Sequence, residues 1–99
     1  MDTKPSKEHH HFIYDEAKSS SNKAKHGIDF LEAQALWGDE DLTEVDARYE
    51  TESRSMLTGV IDGRHWTAFV TYRGAATRLI SVRRSRGKEV RAYEAGRTR

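Results

Sequence analysis

The chain has 99 residues, a length that suits one domain with one core. Only 35% of the residues are hydrophobic and 33% are charged, so that core must be small, and no apolar run is long enough for a membrane span or a signal peptide. The absence of cysteine excludes disulfide frameworks, thiolate zinc sites and cysteine nucleophiles, which leaves a cytoplasmic, soluble protein as the expectation. A net charge of +1 conceals two halves of opposite sign. Met1 to Glu52 carries 6 Lys/Arg against 13 Asp/Glu, whereas Ser53 to Arg99 carries 11 against 3, and ten of those eleven cations are Arg. Guanidinium forks grip phosphate with two parallel hydrogen bonds, so a basic half of this composition points to a polyanion or an acidic partner.

Met1 to His11 is polar and without periodicity, and reads as an N-terminal tail. Its three consecutive histidines are assigned no metal and no function. A single domain is expected over residues 12–95, with 96–99 as a C-terminal tail. Phe12 to Tyr14 is a short strand candidate. Asp15 then suits an N-cap, a helix follows from Glu16 to His26, and Gly27 stands where a left-handed residue ends it. Ala17 and Ala24, one heptad apart, are the apolar positions of that helix. Asp29 and Glu32 form a capping-box pattern that opens a second helix from Phe30 to Trp37, closed by Gly38. After the acidic turn Asp39 to Asp41, the apolar period changes to two. Leu42 to Arg48, Arg54 to Ile61, His65 to Tyr72 and Thr77 to Arg83 are strand candidates. Asp62-Gly63 marks a type I′ hairpin, Gly74 marks the next reversal, and a last helix runs from Ser85 to Ala95. Strands joined by short turns are antiparallel, so the fold class expected is α+β: two N-terminal helices packed on a mainly antiparallel sheet of about five strands, with a C-terminal helix.

Strand parity divides the sheet. Trp66, Ala68, Val70 and Tyr72 share one face and form the core side, while His65, Thr67, Phe69, Thr71 and Arg73 share the other. The same alternation in the next strand puts Ile80 and Val82 toward the core and Leu79, Ser81 and Arg83 on the free face. Arg78 falls on the core-side parity, where pairing with a carboxylate such as Glu52 is the expected use. Trp37 and Trp66 read as core residues.

The ordered set Phe12, Tyr14, Asp15, Lys18, Asn22, Lys25-His26-Gly27-Ile28, Phe30, Glu52-Ser53-Arg54, Gly59, Thr71, Arg73, Arg78, Ile80-Ser81, Arg83, Glu89 and Tyr93 resembles the BrnT family of type II toxins. The resemblance covers Phe12 to Glu94. It implies a RelE-like fold, an endoribonuclease activity that blocks translation, and neutralisation by a BrnA-type antitoxin. Operator DNA would be bound only through that antitoxin, and a toxin dimer within the complex fits the same picture. No cofactor, metal or membrane is implied.

Metal-free cleavage of RNA needs a base for the 2′-hydroxyl proton, cations for the charge that builds on phosphorus, and an acid for the leaving 5′-oxygen. Lys25, His26, Glu52 and His65 are the proton-transfer candidates, and Arg54, Arg73 and Arg83 the electrostatic ones. Lys25, His26, Glu52, Arg54 and Arg83 form the expected catalytic set. Arg73, Ser81, Arg84 and Arg86 are expected to bind RNA. Structural uses compete: Lys25 and His26 complement a helix C-terminus, and Glu52 with Arg54 suits a simple ion pair. Two further readings stand beside the nuclease. One is a nucleic-acid-binding module without catalysis, and the other a partner-docking module whose basic face meets an acidic protein. Phe69 alone on the free face argues against a sequence-reading single-strand binder.

Overall fold

The computed structural model describes residues 11–47 and 53–97. Strand β1 (His11–Ile13) leads into helix α1 (Glu16–His26) and a 3-10 helix (Glu32–Gly38). Strands β2 (Thr43–Asp46), β3 (Ser55–Ile61), β4 (Arg64–Arg73) and β5 (Ala76–Arg84) follow, and helix α2 (Gly87–Arg97) ends the domain. The sheet order is β1-β5-β4-β3-β2. Consecutive strands from β2 to β5 pair antiparallel, as their short turns require, whereas β1 lies parallel to β5 with Phe12 opposite Thr77.

The expected arrangement of two N-terminal helices on a mainly antiparallel sheet does not form. The sheet is mixed, because the chain leaving β1 crosses over through α1 and the segments after it, and β5 returns beside β1 in the same direction. The segment expected as a second helix is a 3-10 helix: its buried residues, Ala33 and Leu36, stand three apart, the repeat of that tighter winding. Its capping box is nevertheless real. Glu32 N–H donates to Asp29 Oδ1 at 2.7 Å and Asp29 N–H to Glu32 Oε1 at 2.9 Å.

The ends of α1 match their residue types. Lys18 N–H donates to Asp15 Oδ1 at 3.1 Å, and Gly27 takes φ of +85°, a left-handed conformation that suits a residue without a Cβ. The face that α1 buries is not the alanine pair. Ser19 and Asn22 are buried, and both work through hydrogen bonds: Ser19 Oγ accepts from Phe30 N–H at 2.9 Å. Asn22 donates through Nδ2 to Ile28 O at 2.8 Å and Val82 O at 2.9 Å, and its Oδ1 accepts from Val82 N–H at 3.1 Å. β1 pairs only with the first half of β5, so the amide of Asn22 supplies at Val82 the partner that a longer edge strand would have provided.

Ile28, Phe30, Ala33, Leu36, Leu57, Trp66, Ala68, Val70, Leu79 and Val82 form the core between this layer and the sheet, with Phe12, Tyr14 and Trp37 packed at its margin. Trp66 is buried as expected, while Trp37 is half-buried against Phe12 with ring centroids 4.8 Å apart. At the β3–β4 turn, Asp62 and Gly63 take φ of +50° and +79°, the pair of positive values expected of a type I′ hairpin.

Candidate nucleic-acid interface

The second face of the sheet is covered at one end only. Helix α2 lies over the end nearest the Asp62-Gly63 turn, where Glu89 meets Thr67, and His65 Nε2 sits 2.8 Å from Glu94 Oε2. His65, a proton-transfer candidate in the sequence, is therefore held between α2 and the sheet and also meets Tyr93 edge-on. The rest of the face carries Met56, Phe69, Thr71, Arg73, Ser81 and Arg83 by strand parity.

Arg78 belongs to that face as well, which corrects the parity expected of β5. Phe69 pairs with Ser81 but Val70 pairs with Leu79, so Ile80 is an extra residue opposite β4. This bulge resets the alternation. Residues after it keep the predicted sides, with Val82 buried and Ser81 and Arg83 opposite. Residues before it exchange sides: Leu79, expected on the free face, is buried at 2% exposure, and Arg78 stands beside Thr71 on the free face. Strict alternation does not hold along β5, because the strand breaks it once at Ile80.

Arg83 is on the expected face but not in the expected state. Its Nη1 and Nη2 donate to Glu89 Oε1 and Oε2 at 2.9 and 2.8 Å, and the two side chains are only 18% and 11% exposed. Glu89 Oε1 also accepts from Thr67 Oγ1 and from Arg86 N–H, each at 2.9 Å. The Arg83 guanidinium, the hydroxyl and the backbone donor together hold the Glu89 carboxyl at about 2, well below the usual carboxylate range. Arg83 also lies 5.1 Å from the centre of the Phe69 ring and donates from Nη1 to Arg84 O at 3.1 Å. Among the described residues its Nε–H makes no hydrogen bond. The end of the fork thus anchors α2.

The remaining expected site residues divide between two places. Ala47 N–H donates to Arg54 O at 2.7 Å, which continues the β2–β3 ladder past Ser55. Continuing the β3–β4 register by one step sets Arg54 beside Thr71. Arg73, two residues further along β4, is exposed on the same face. Ser81 lies between the Arg78 and Arg83 positions. By contrast, Arg84 is on the core-side parity, opposite Trp66, with its guanidinium 5.5 Å from the Trp66 ring. Arg86 is exposed at the start of α2. Lys25 and His26 are exposed in the last turn of α1, one turn beyond the Asn22 contact with Val82. The expected catalytic set is not gathered in one place, and Glu52 lies outside the described residues. Among the described residues no group of three or more His, Asp or Glu side chains is arranged to hold a metal ion, and no helix is long and apolar enough to cross a membrane.

A family model described as the ribonuclease toxin BrnT of type II toxin-antitoxin systems matches residues 14–89, the span that holds this arginine face together with α1, strands β2 to β5 and the start of α2. The chain belongs to the BrnT family. No curated protein matches it. Membership of the BrnT family makes the chain a ribonuclease toxin of a type II system, which implies an antitoxin as partner. Thr71 and Glu89 both belong to the set that carries the resemblance, and parity places Thr71 on the free face, but neither is among the expected site residues. Glu89 stands three residues after Arg86 at a helix start, the spacing of a capping glutamate, and that spacing is the signal that points to it.

Proposed function

We propose that this chain is a metal-independent endoribonuclease that cleaves cytoplasmic RNA and inhibits translation, and that a BrnA-type antitoxin neutralises it. The observation that carries the reading is the placing of Arg54, Arg73 and Ser81 on the part of the sheet that α2 leaves uncovered, with Arg83 at the margin where Glu89 of α2 holds it. RNA lies across this face. Guanidinium groups there bind its phosphates and stabilise the extra negative charge of the transition state, as the 2′-oxygen bonds to phosphorus and the bond to the 5′-oxygen breaks. Each well-placed donor of this kind contributes roughly 100- to 1,000-fold. Arg83 is suited to this role because Glu89 fixes the guanidinium before any substrate arrives, so its side edge loses little entropy on binding. Arg54 lies toward the other end of the face. Glu52, two residues before Arg54 in the chain, is assigned the 2′-hydroxyl proton, and the leaving 5′-oxygen takes its proton from water. Lys25, His26, Arg84 and Arg86 extend the basic surface around the end of β5 and guide the flanking RNA.

The reading is tested by incubating purified, antitoxin-free protein with total RNA in EDTA and mapping the new ends. New ends with 2′,3′-cyclic phosphates support it. RNA that stays intact in EDTA but is cut with magnesium overturns metal independence, and RNA bound yet never cut under any condition favours the non-catalytic binding module.

A further inference from the structure

We infer that Arg78 and Thr71 form a second phosphate-binding point on this face, separate from Arg83; the inference rests on the reading of the face as an RNA surface. The bulge at Ile80 makes the two residues cross-strand partners, with Arg73 diagonal to them. Arg78 is half-buried and makes no ion pair among the described residues, so its charge is not spent within the described fold as that of Arg83 is. Thr71 supplies an independent observation. The residue is only 5% exposed, yet among the described residues its Oγ1 has no hydrogen-bond partner. A buried hydroxyl without a partner costs stability, and such groups are rare in folded proteins outside sites that take a ligand. Elsewhere on the same strand face the protein satisfies its hydroxyls fully: Thr67 Oγ1 lies within 3.0 Å of Thr58, Ser85 and Glu89 oxygens.

The missing partner is an acceptor that arrives with the substrate. A non-bridging phosphate oxygen fits, because it accepts at once from a hydroxyl and from a guanidinium. A nucleobase edge offers acceptors but no charge, and an apolar group offers neither, so the uncompensated charge of Arg78 favours the phosphate. The Thr71–Arg78 and Thr67–Arg83 pairs are four residues apart along β4, which is about 13 Å. One phosphate cannot touch both, so the two points engage different phosphates of the same strand. The bound RNA therefore runs along β4 and β5 rather than across them.

The test is binding of a short single-stranded oligoribonucleotide, with the full chain, measured by fluorescence anisotropy over a range of salt concentrations. Thr71→Val removes the hydroxyl and keeps the shape. It is expected to weaken binding roughly tenfold, with the salt dependence unchanged and the melting temperature equal or higher. Arg78→Ala is expected to weaken binding and to reduce the slope of log affinity against log salt by roughly 0.7, the share of one phosphate on a single strand. Arg78→Lys should restore the slope but not the full affinity. Wild-type affinity in both Thr71→Val and Arg78→Ala overturns the phosphate point while leaving the RNA face standing. So does a lower melting temperature in Thr71→Val, which would show that the hydroxyl serves the fold. Wild-type protein that binds no RNA overturns the RNA reading itself and this inference with it.

Discussion

Arg83→Ala is expected to damage the fold before it damages the chemistry. The guanidinium is the largest influence on Glu89, whose carboxyl stands at about 2 against an ordinary 4.5. That gap corresponds to about 3 kcal/mol of preference for the charged form in the folded state. Both side chains are more than four-fifths covered, so solvent screens the pair little. Removing Arg83 leaves the carboxylate covered but still bonded to Thr67 and to Arg86 N–H, so the cost is about 2 kcal/mol rather than the ~3–5 kcal/mol of a fully orphaned charge. The sign with pH follows from the depressed value. Stability from the pair is complete above the unfolded carboxyl, near 4.5, and is lost as pH falls toward about 2. Urea unfolding of wild type, Arg83→Ala, Glu89→Gln and the double variant should therefore show the full deficit at pH 7 and convergence near pH 2. The double variant should be less damaged than the two single losses summed. An Arg83→Ala protein within about 0.5 kcal/mol of wild type at pH 7, with the same acid limb, would refute this account of the pair. Loss of toxicity in Arg83→Ala is informative about catalysis only after the folded fraction has been measured.

Asn22→Ala leaves Val82 N–H, Val82 O and Ile28 O without their partner and should cost about 2 to 4 kcal/mol, with faster amide exchange at Val82 as the local signature. Unchanged exchange there would show that the β5 edge is protected by other means. Gly59→Ala brings a methyl group 3.0 Å from Asp39 Oδ2 and Leu42 Cδ1 and 3.1 Å from Leu36 Cδ2, and the crowding should lower stability by about 1 to 3 kcal/mol in thermal unfolding. Tyr93→Phe removes the hydroxyl that donates to Asp39 Oδ2 at 2.6 Å, so α2 should become more susceptible to proteolysis at a cost of about 1 kcal/mol. An unaltered cleavage rate would show that α2 is held by its other contacts, Glu89 with Arg83 and Glu94 with His65.

Local signals in the sequence translated well wherever the deciding contacts were themselves local. Asp15, Gly27 and Asp62-Gly63 set caps and a turn within a few residues of themselves, and β2 to β5 began and ended within two residues of expectation where the chain is described. Expectation failed where a distant partner decided. The parallel place of β1 depends on how a whole crossover returns, and the buried face of α1 depends on backbone groups of Val82, sixty residues away. Two-residue alternation is also blind to a bulge: Ile80 is apolar and β-branched, the best of strand residues, and nothing in its type says that it stands opposite no partner. The candidate site was legible as a composition of arginines on a sheet face, and illegible as a division of labour among them.

That division follows from where the carboxylates are. A guanidinium has five donors, and what it does for a substrate depends on how many the protein has already taken. Glu89 reaches Arg83 because α2 crosses the face at that end of β4, and it takes the end of the fork, leaving an edge that is fixed in place. No described carboxylate reaches Arg78, because α2 does not extend that far and the adjacent position on β4 is Thr71, a neutral hydroxyl rather than a carboxylate. The same face therefore offers one rigid cation and one whose charge is uncompensated among the described residues, four residues apart. An extended polyanion satisfies both, the first at low entropic cost and the second by supplying the acceptor that Thr71 and Arg78 lack. An acidic segment of the antitoxin that occupied the Arg78 end would compete with RNA there without having to break the Arg83–Glu89 pair. Inhibition at that end should accordingly leave the acid stability of the toxin, which Glu89 sets, unchanged.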